Sequence, residues 1–196
     1  MLLDRIQKHL ESIYGIRCEL RASDFLLGEE QALQLGGTGR AREELLVREE
    51  NGELELGLYL HPEVLAPKDL AAFCEAAEGV SHFVYMTRSA DLERRVSLLE
   101  LEAQAEIDKF AICVLGRWES RGRAESMFER LFDEVRFRES LTPEELFRYR
   151  EANRLARAYC LRLLPLLAVR NLERLLSELR YSYRLGAKAK LDYLSR

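Results

Sequence analysis

No two of the chain's four cysteines stand close together in sequence. Cys18, Cys74, Cys113 and Cys160 form no Cys-x-x-Cys pair and no cysteine–histidine cluster, so the ligand spacing of a sequence-local zinc site is missing. Three of them lie in apolar patterns, as buried thiols do. Histidine is scarcer still, with only His9, His61 and His82. None falls in the later half, so the Glu-x-x-His pairs of bundle di-metal sites are lacking there. Long apolar runs are absent too. The longest, Leu163 to Val169, is far short of the roughly 20 residues that span a bilayer. Residues 1–13 read as an amphipathic helix rather than a secretory leader. There is no internal repeat, low-complexity tract or long linker. These absences predict a cytoplasmic protein with no membrane partner, no metal and no cofactor.

Charge is present but unevenly placed. Residues 1–90 carry 16 acidic and 9 basic side chains, whereas residues 145–196 carry 5 acidic and 12 basic. Such asymmetry suits an electrostatic partner, or two ends that neutralise each other within one fold.

The chain's periodicity centres on a helix predicted from Ser89 to about Trp118. Stepped at 100° per residue, Leu92, Val96, Leu99, Ala103, Ile107, Phe110 and Val114 fall on one line. Leu98, Leu101, Ala105 and Ile112 fall on nearly the opposite line. Two polar strips run between them, one with Glu93, Ser97, Glu100, Gln104 and Asp108, the other with Arg95, Glu102, Glu106 and Lys109. A helix with two apolar faces is expected to lie sandwiched between two layers. On this reading Leu99→Asp and Leu101→Asp both unfold the protein, and Glu100→Ala does little.

Before it, residues 1–14 read as a helix stopped by Gly15, and 16–21 as a first strand. Residues 43–50 and 53–60 flank Asn51-Gly52, a strong hairpin signal, with Leu54, Leu56, Leu58 and Leu60 on the buried face. A helix from Pro67 to Glu78, closed by Gly79, and a strand over 80–87 follow. After it the chain reads as helical. A polar turn covers 119–123, and a short helix runs from Ala124 to Val135. Thr142-Pro143-Glu144-Glu145 forms a capping box. The helix it starts is expected to kink or break at Pro165. Leu172, Leu175, Leu176, Leu179 and Tyr183 form a last seam, ended by Gly186. The predicted fold is α+β: a small N-terminal antiparallel sheet with helices, and the long central helix sandwiched against a C-terminal helical layer. Residues 1–196 form a single compact unit, with an α+β subregion at 1–88 and a helical one at 89–196.

Four groups of residues could carry chemistry. Gly36, Gly37, Thr38, Gly39 and Arg40 could offer backbone amides and a charge to a phosphate. However, the Lys-Ser/Thr of a P-loop is missing and a strand follows, which suits a plain loop. Glu93, Glu100 and Asp108 could hold a metal or act as acid and base, against the simpler reading of a solvated or cross-helix hydrogen-bonded strip. His61 and His82, with Tyr59, Cys74, Ser81 and Tyr85 near in sequence, could form a catalytic pair. Arg148, Arg154, Arg157, Arg162, Arg170, Arg174, Arg180, Arg184, Lys188 and Lys190 interleave with tyrosines as nucleic-acid binders do, yet no reader motif accompanies them. With no catalytic signature, the sequence favours a non-enzymatic cytoplasmic protein–protein interaction or regulatory protein, its partner including a second copy of itself in a homodimer. Nucleic-acid binding through the basic helices is the alternative. An enzyme with a site near His61, His82 and the 35–40 loop is the third reading.

Overall fold

The computed structural model describes residues 1–50, 53–116 and 124–196. Helix α1 spans Leu2–Tyr14 and buries Leu3, Ile6, Leu10 and Ile13 on one face. Gly15 ends it in the left-handed conformation at φ 62°, as the sequence predicts. The expected strand at 16–21 is not formed. A 3-10 turn at Ala22–Phe25 leads instead into β1, Leu26–Leu27. Helix α2 covers Glu29–Gln34, and the hairpin strands β2 and β3 cover Glu43–Glu50 and Glu53–Leu60. Their register pairs Glu43 with Leu60 and Leu45 with Leu58. The Asn51-Gly52 turn lies outside the described residues. β1 pairs with β3 in parallel, giving the order β1-β3-β2. The sheet is therefore mixed, not antiparallel throughout.

Pro62–Leu65 forms the short helix α3, and α4 runs from Leu70 to Asp91 with Asp69 as its cap. The predicted strand over 80–87 is thus helix, and Gly79 lies inside it rather than closing it. The physical reason is burial on nearly every side of α4. Val80, His82 and Val84 are as buried as Phe83 and Tyr85, so no solvent face reveals the 3.6-residue period. Gly79 has a packing role. A Cβ there would lie 2.9 Å from Glu43 Cγ and 3.0–3.1 Å from the Leu60 and Leu58 side chains. Glycine lets α4 settle closely on the leucine face of β3.

The central helix α5 begins later than predicted, at Leu98, and runs to Leu115. Its cap is Ser97, whose Oγ accepts from the Glu100 amide at 3.2 Å. Ser89 belongs to α4 instead, so the expected seam at 88–90 falls within a helix. The last predicted turn, to Trp118, and the polar turn at 119–123 lie outside the described residues. Helix α6, Ala124–Phe128, passes into one π-helical turn, Glu129–Asp133. Helix α7, Pro143–Ala168, starts with the predicted capping box and carries Pro165 within it without ending there. Helices α8, Leu172–Arg184, and α9, Ala187–Leu194, complete the chain.

The architecture is α+β, and α5 lies at its centre. α4 packs along one side, α7 along the other, and α1, α6 and α9 close the remainder. Both predicted apolar lines are buried along the body of α5: Ala103, Ile107 and Phe110 on one, Leu101, Ala105 and Ile112 on the other. Each large side chain among them contributes roughly 1.5–3 kcal/mol. The ends differ from expectation, since Leu92 and Leu98 are exposed. Among the described residues, no helix is long and apolar enough to cross a membrane.

Candidate functional site

The polar strips of α5 are buried along with the apolar lines. Glu100, Glu102, Gln104, Asp108 and Lys109 all lie inside the protein, so of the two plain readings of the Glu100–Asp108 strip the cross-helix hydrogen-bonded one holds and the solvated one does not. Buried charges need partners, and each strip finds its own network.

On the strip that ends in Lys109, Glu102 and Glu106, one turn apart, face Glu78 and His82, also one turn apart on α4. Glu43 joins them from the start of β2, and Arg148 and Tyr149 from α7. His82 sits between two carboxylates, with Nδ1 3.3 Å from Glu43 Oε1 and Nε2 3.4 Å from Glu102 Oε2. Lys109 Nζ donates to Glu78 Oε2 and Glu106 Oε1, each at 2.8 Å. Arg148 Nε lies 3.5 Å from Glu102 Oε1 and makes no hydrogen bond.

Burial works against the charged form of His82, but Glu43 and Glu102 outweigh it and hold the imidazolium well above its ordinary range. Lys109 is likewise raised, its two carboxylates overcoming burial. Glu43 and Glu106 are pushed up by burial. Burial also acts on Glu78, yet Lys109 and His82 together bring it below the usual range. Glu78 and Glu106 share one ammonium at equal distance. His82 stands beside Glu78 as well, so the two carboxyls move in opposite directions.

Above this group opens a cavity of about 540 Å³. His82, Glu102 and Arg148 form part of its wall, with Thr38 and Arg40 from the 35–40 loop and Leu98 and Leu101 from α5. An apolar groove of about 460 Å³, lined by Leu45, Val47, Met86, Val96 and Leu98 among others, adjoins it through Leu45, Leu98 and Leu101.

The other strip carries the second network. Gln104 Nε2 donates to Tyr14 OH at 3.0 Å and to Asp108 Oδ1 at 2.6 Å. Its Oε1 accepts from Lys190 Nζ at 2.5 Å. Asp108 also accepts from Ser81 Oγ at 2.6 Å and from Tyr14 OH. Tyr85 OH donates to Glu100 Oε1 at 2.6 Å and accepts from Lys190 Nζ and Arg94 Nη2, both at 2.9 Å. Burial pushes Asp108 up to about 6, against its hydrogen bonds from Ser81, Tyr14 and Gln104. It pushes Lys190 down to about 7, against Glu100 and Asp108.

The residues singled out from the sequence divide accordingly. His82 and the loop residues Thr38 and Arg40 share the large cavity; His61 does not, its Nδ1 accepting from the Glu63 amide at 3.3 Å to cap α3. In the loop, Gly36 and Gly39 have φ of 93° and 67°. The Thr38 amide donates to the Glu44 carboxylate at 3.0 Å, so an acidic side chain already holds the position a phosphate would take. Glu100 and Asp108 belong to the second network, while Glu93 is exposed and stands apart.

The basic residues do not face one way. Lys190, proposed for nucleic acid, is fully buried and cannot reach a phosphate backbone. Arg162 donates to the Tyr193 and Leu194 carbonyls, and Arg180 to those of Ser12 and Ile13. Arg154 pairs with Glu151, Arg157 with Asp133 and Lys188 with Asp192, all at the surface. Arg170, Arg174 and Arg184 are exposed, Arg170 at a helix junction with φ 53°. Sequence reasoning missed Glu43, Glu78, Glu102, Glu106, Lys109 and Tyr149 as a group. The one signal available was the four-residue spacing of Glu78–His82 and Glu102–Glu106, legible only once residues 80–87 are taken as helix.

Comparison of the chain with family models, with curated proteins and with solved structures gave no match.

Proposed function

We propose that the protein binds a small organic anion in the 540 Å³ cavity and that its chemistry takes place there, over the His82–Glu102–Arg148 wall. One observation carries this reading: a ligand-sized cavity opens onto a buried charged group, a pairing common to small-molecule sites. Arg148 supports an anionic ligand, because its guanidinium forms part of the cavity wall and a carboxylate or phosphate pairs with such a group. Leu45, Leu98 and Leu101 favour a ligand with an apolar part. We place the protein in the reducing cytoplasm, where Cys74 can keep its thiol hydrogen bond to Cys113.

Thermal melting with a panel of short- and medium-chain carboxylates and phosphomonoesters tests the reading. A ligand at 100 times its Kd adds about 2.7 kcal/mol, or about 5–10 °C for a chain of this size. Leu98→Trp, at an exposed cavity position, should abolish the shift without unfolding the protein. No shift across the panel, or a shift unchanged in Leu98→Trp, overturns the reading.

A second reading, self-association, keeps one observation of its own. The Leu175, Leu179 and Tyr183 seam packs inside the fold, but Phe147 on α7 is 69 % exposed and Val169 just beyond it 72 %. Sedimentation velocity over a wide concentration range decides it: Phe147→Glu should dissociate a dimer, and a wild-type monomer throughout removes this reading.

A further inference from the structure

We propose that Glu78, His82 and Glu102 bind a divalent first-row transition-metal ion at the inner wall of the cavity, with His82 coordinating through Nε2. One ring nitrogen of His82 and one oxygen from each carboxylate lie within 4.8 Å of one another. His82 is only 6 % exposed, yet its Nε2 makes no hydrogen bond. Nε2 faces Glu102 Oε2 at 3.4 Å, beyond a normal hydrogen bond. Two donors each about 2.1 Å from one tetrahedral ion lie about 3.4 Å apart.

Each ligand also has an outer partner, which metal sites use to fix orientation. Nδ1 of His82 is 3.3 Å from Glu43, so a ring that exchanges its other proton for the metal keeps one on Nδ1 against that carboxylate and turns the Nε2 lone pair toward Glu78 and Glu102. Glu102 is backed by Arg148 and Glu78 by Lys109. One nitrogen and two oxygens suit zinc, manganese, iron or cobalt better than calcium or magnesium, which take oxygen alone. His82 and Glu102 both line the cavity, so a free coordination position would face the bound molecule. The inference deepens the small-anion reading and rests on the same cavity, but its test needs no anion.

The full-length protein, stripped with chelator and dialysed, is titrated with Co²⁺ alone. The expected result is a visible d–d absorption saturating at one ion per chain and displaced by Zn²⁺. Glu102→Gln should weaken Co²⁺ binding at least 100-fold, and the outer-partner variant Glu43→Gln about 10–100-fold. Glu93→Gln, at an exposed position, should change nothing. Circular dichroism verifies that each variant is folded, and the wild-type titration decides by itself should a variant fail to fold. No absorption band and no binding by wild type overturns the proposal, as does unchanged affinity in folded Glu102→Gln. A positive cobalt titration with no anion-induced stabilisation would retain the metal site and remove only the anion.

Discussion

Glu100→Ala separates the two accounts of α5 most sharply. If its strip were solvated, the substitution would be almost silent. In the structure Glu100 is fully buried, its Oε1 accepts from Tyr85 OH at 2.6 Å, and Arg94 Nη2 stands 3.4 Å away. Lys190 Nζ reaches the same tyrosine hydroxyl. Truncation to alanine strands the Tyr85 hydroxyl proton and leaves two cations facing each other without their nearest anion. Removing one member of a buried pair costs about 3–5 kcal/mol, and an unsatisfied buried donor about 1–3 kcal/mol. These overlap, so the expected loss is about 3–5 kcal/mol, or roughly 6–20 °C in Tm for a chain of this length. Urea unfolding followed by circular dichroism at pH 7 measures it. Glu100→Gln keeps an acceptor and removes only the charge, so it should cost less. Adding Lys190→Met to Glu100→Gln should couple favourably by more than about 1 kcal/mol. A loss below about 1 kcal/mol for Glu100→Ala would mean that water reaches the strip, and the enclosure of α5 would be wrong.

The same network gives a pH dependence. Lys190 titrates near 7 when folded and near 10.5 when unfolded, so the unfolded chain binds more protons in between and stability rises with pH across that window, by at most about 1.4 kcal/mol per pH unit. Lys190→Met should remove this rise in urea unfolding compared at pH 7 and 9.5. Asp108 works oppositely: raised from 3.8 to about 6, it makes the folded chain bind more protons, and its contribution falls as pH rises through that interval; Asp108→Asn should flatten the acid limb. Leu101→Asp, at a buried position, should unfold the protein, whereas Leu99→Asp, only partly buried, should be milder in the same melts. Thr142→Ala removes the hydroxyl that accepts from the Glu145 amide, while the Thr142 amide keeps its bond to the Glu145 carboxylate, and should lower stability by about 1 kcal/mol in denaturant titration. Gly79→Ala gains about 1 kcal/mol of helix propensity but meets β3 and Glu43, and the overpacking cost of about 1–3 kcal/mol should leave it less stable on melting.

Much of the frame was legible in local chemistry. Gly15 stops α1, Thr142 starts α7, and the β2–β3 register follows from alternating leucines. Along the body of α5 both apolar lines are where 100° steps put them, although Leu92 and Val96 precede the helix and Leu98 is exposed. Reading failed where burial removed contrast. Val80 to Thr87 alternates like a strand because α4 has no wet side over that stretch, and Gly79 resembles a stop because its steric role depends on Leu58 and Leu60 in a distant strand. The candidate site was hidden for a related reason. Glu43, Glu78 and Glu102 look like surface acids until the hairpin, α4 and α5 are brought together. Only His82 and the loop at 38–40 carried a local hint, and His61, which looked equivalent in sequence, turned out to be a helix cap.

The carboxamide of Gln104 clasps opposite ends of the chain. Its nitrogen meets Tyr14 from the first helix, 90 residues away, and its oxygen meets Lys190 from the last, 86 residues away. Because an amide has one donor end and one acceptor end, it cannot turn over without offending both neighbours at once. Peeling away either terminal helix therefore loosens the other's anchorage, so a fusion or tag that strains one end should be felt at the other.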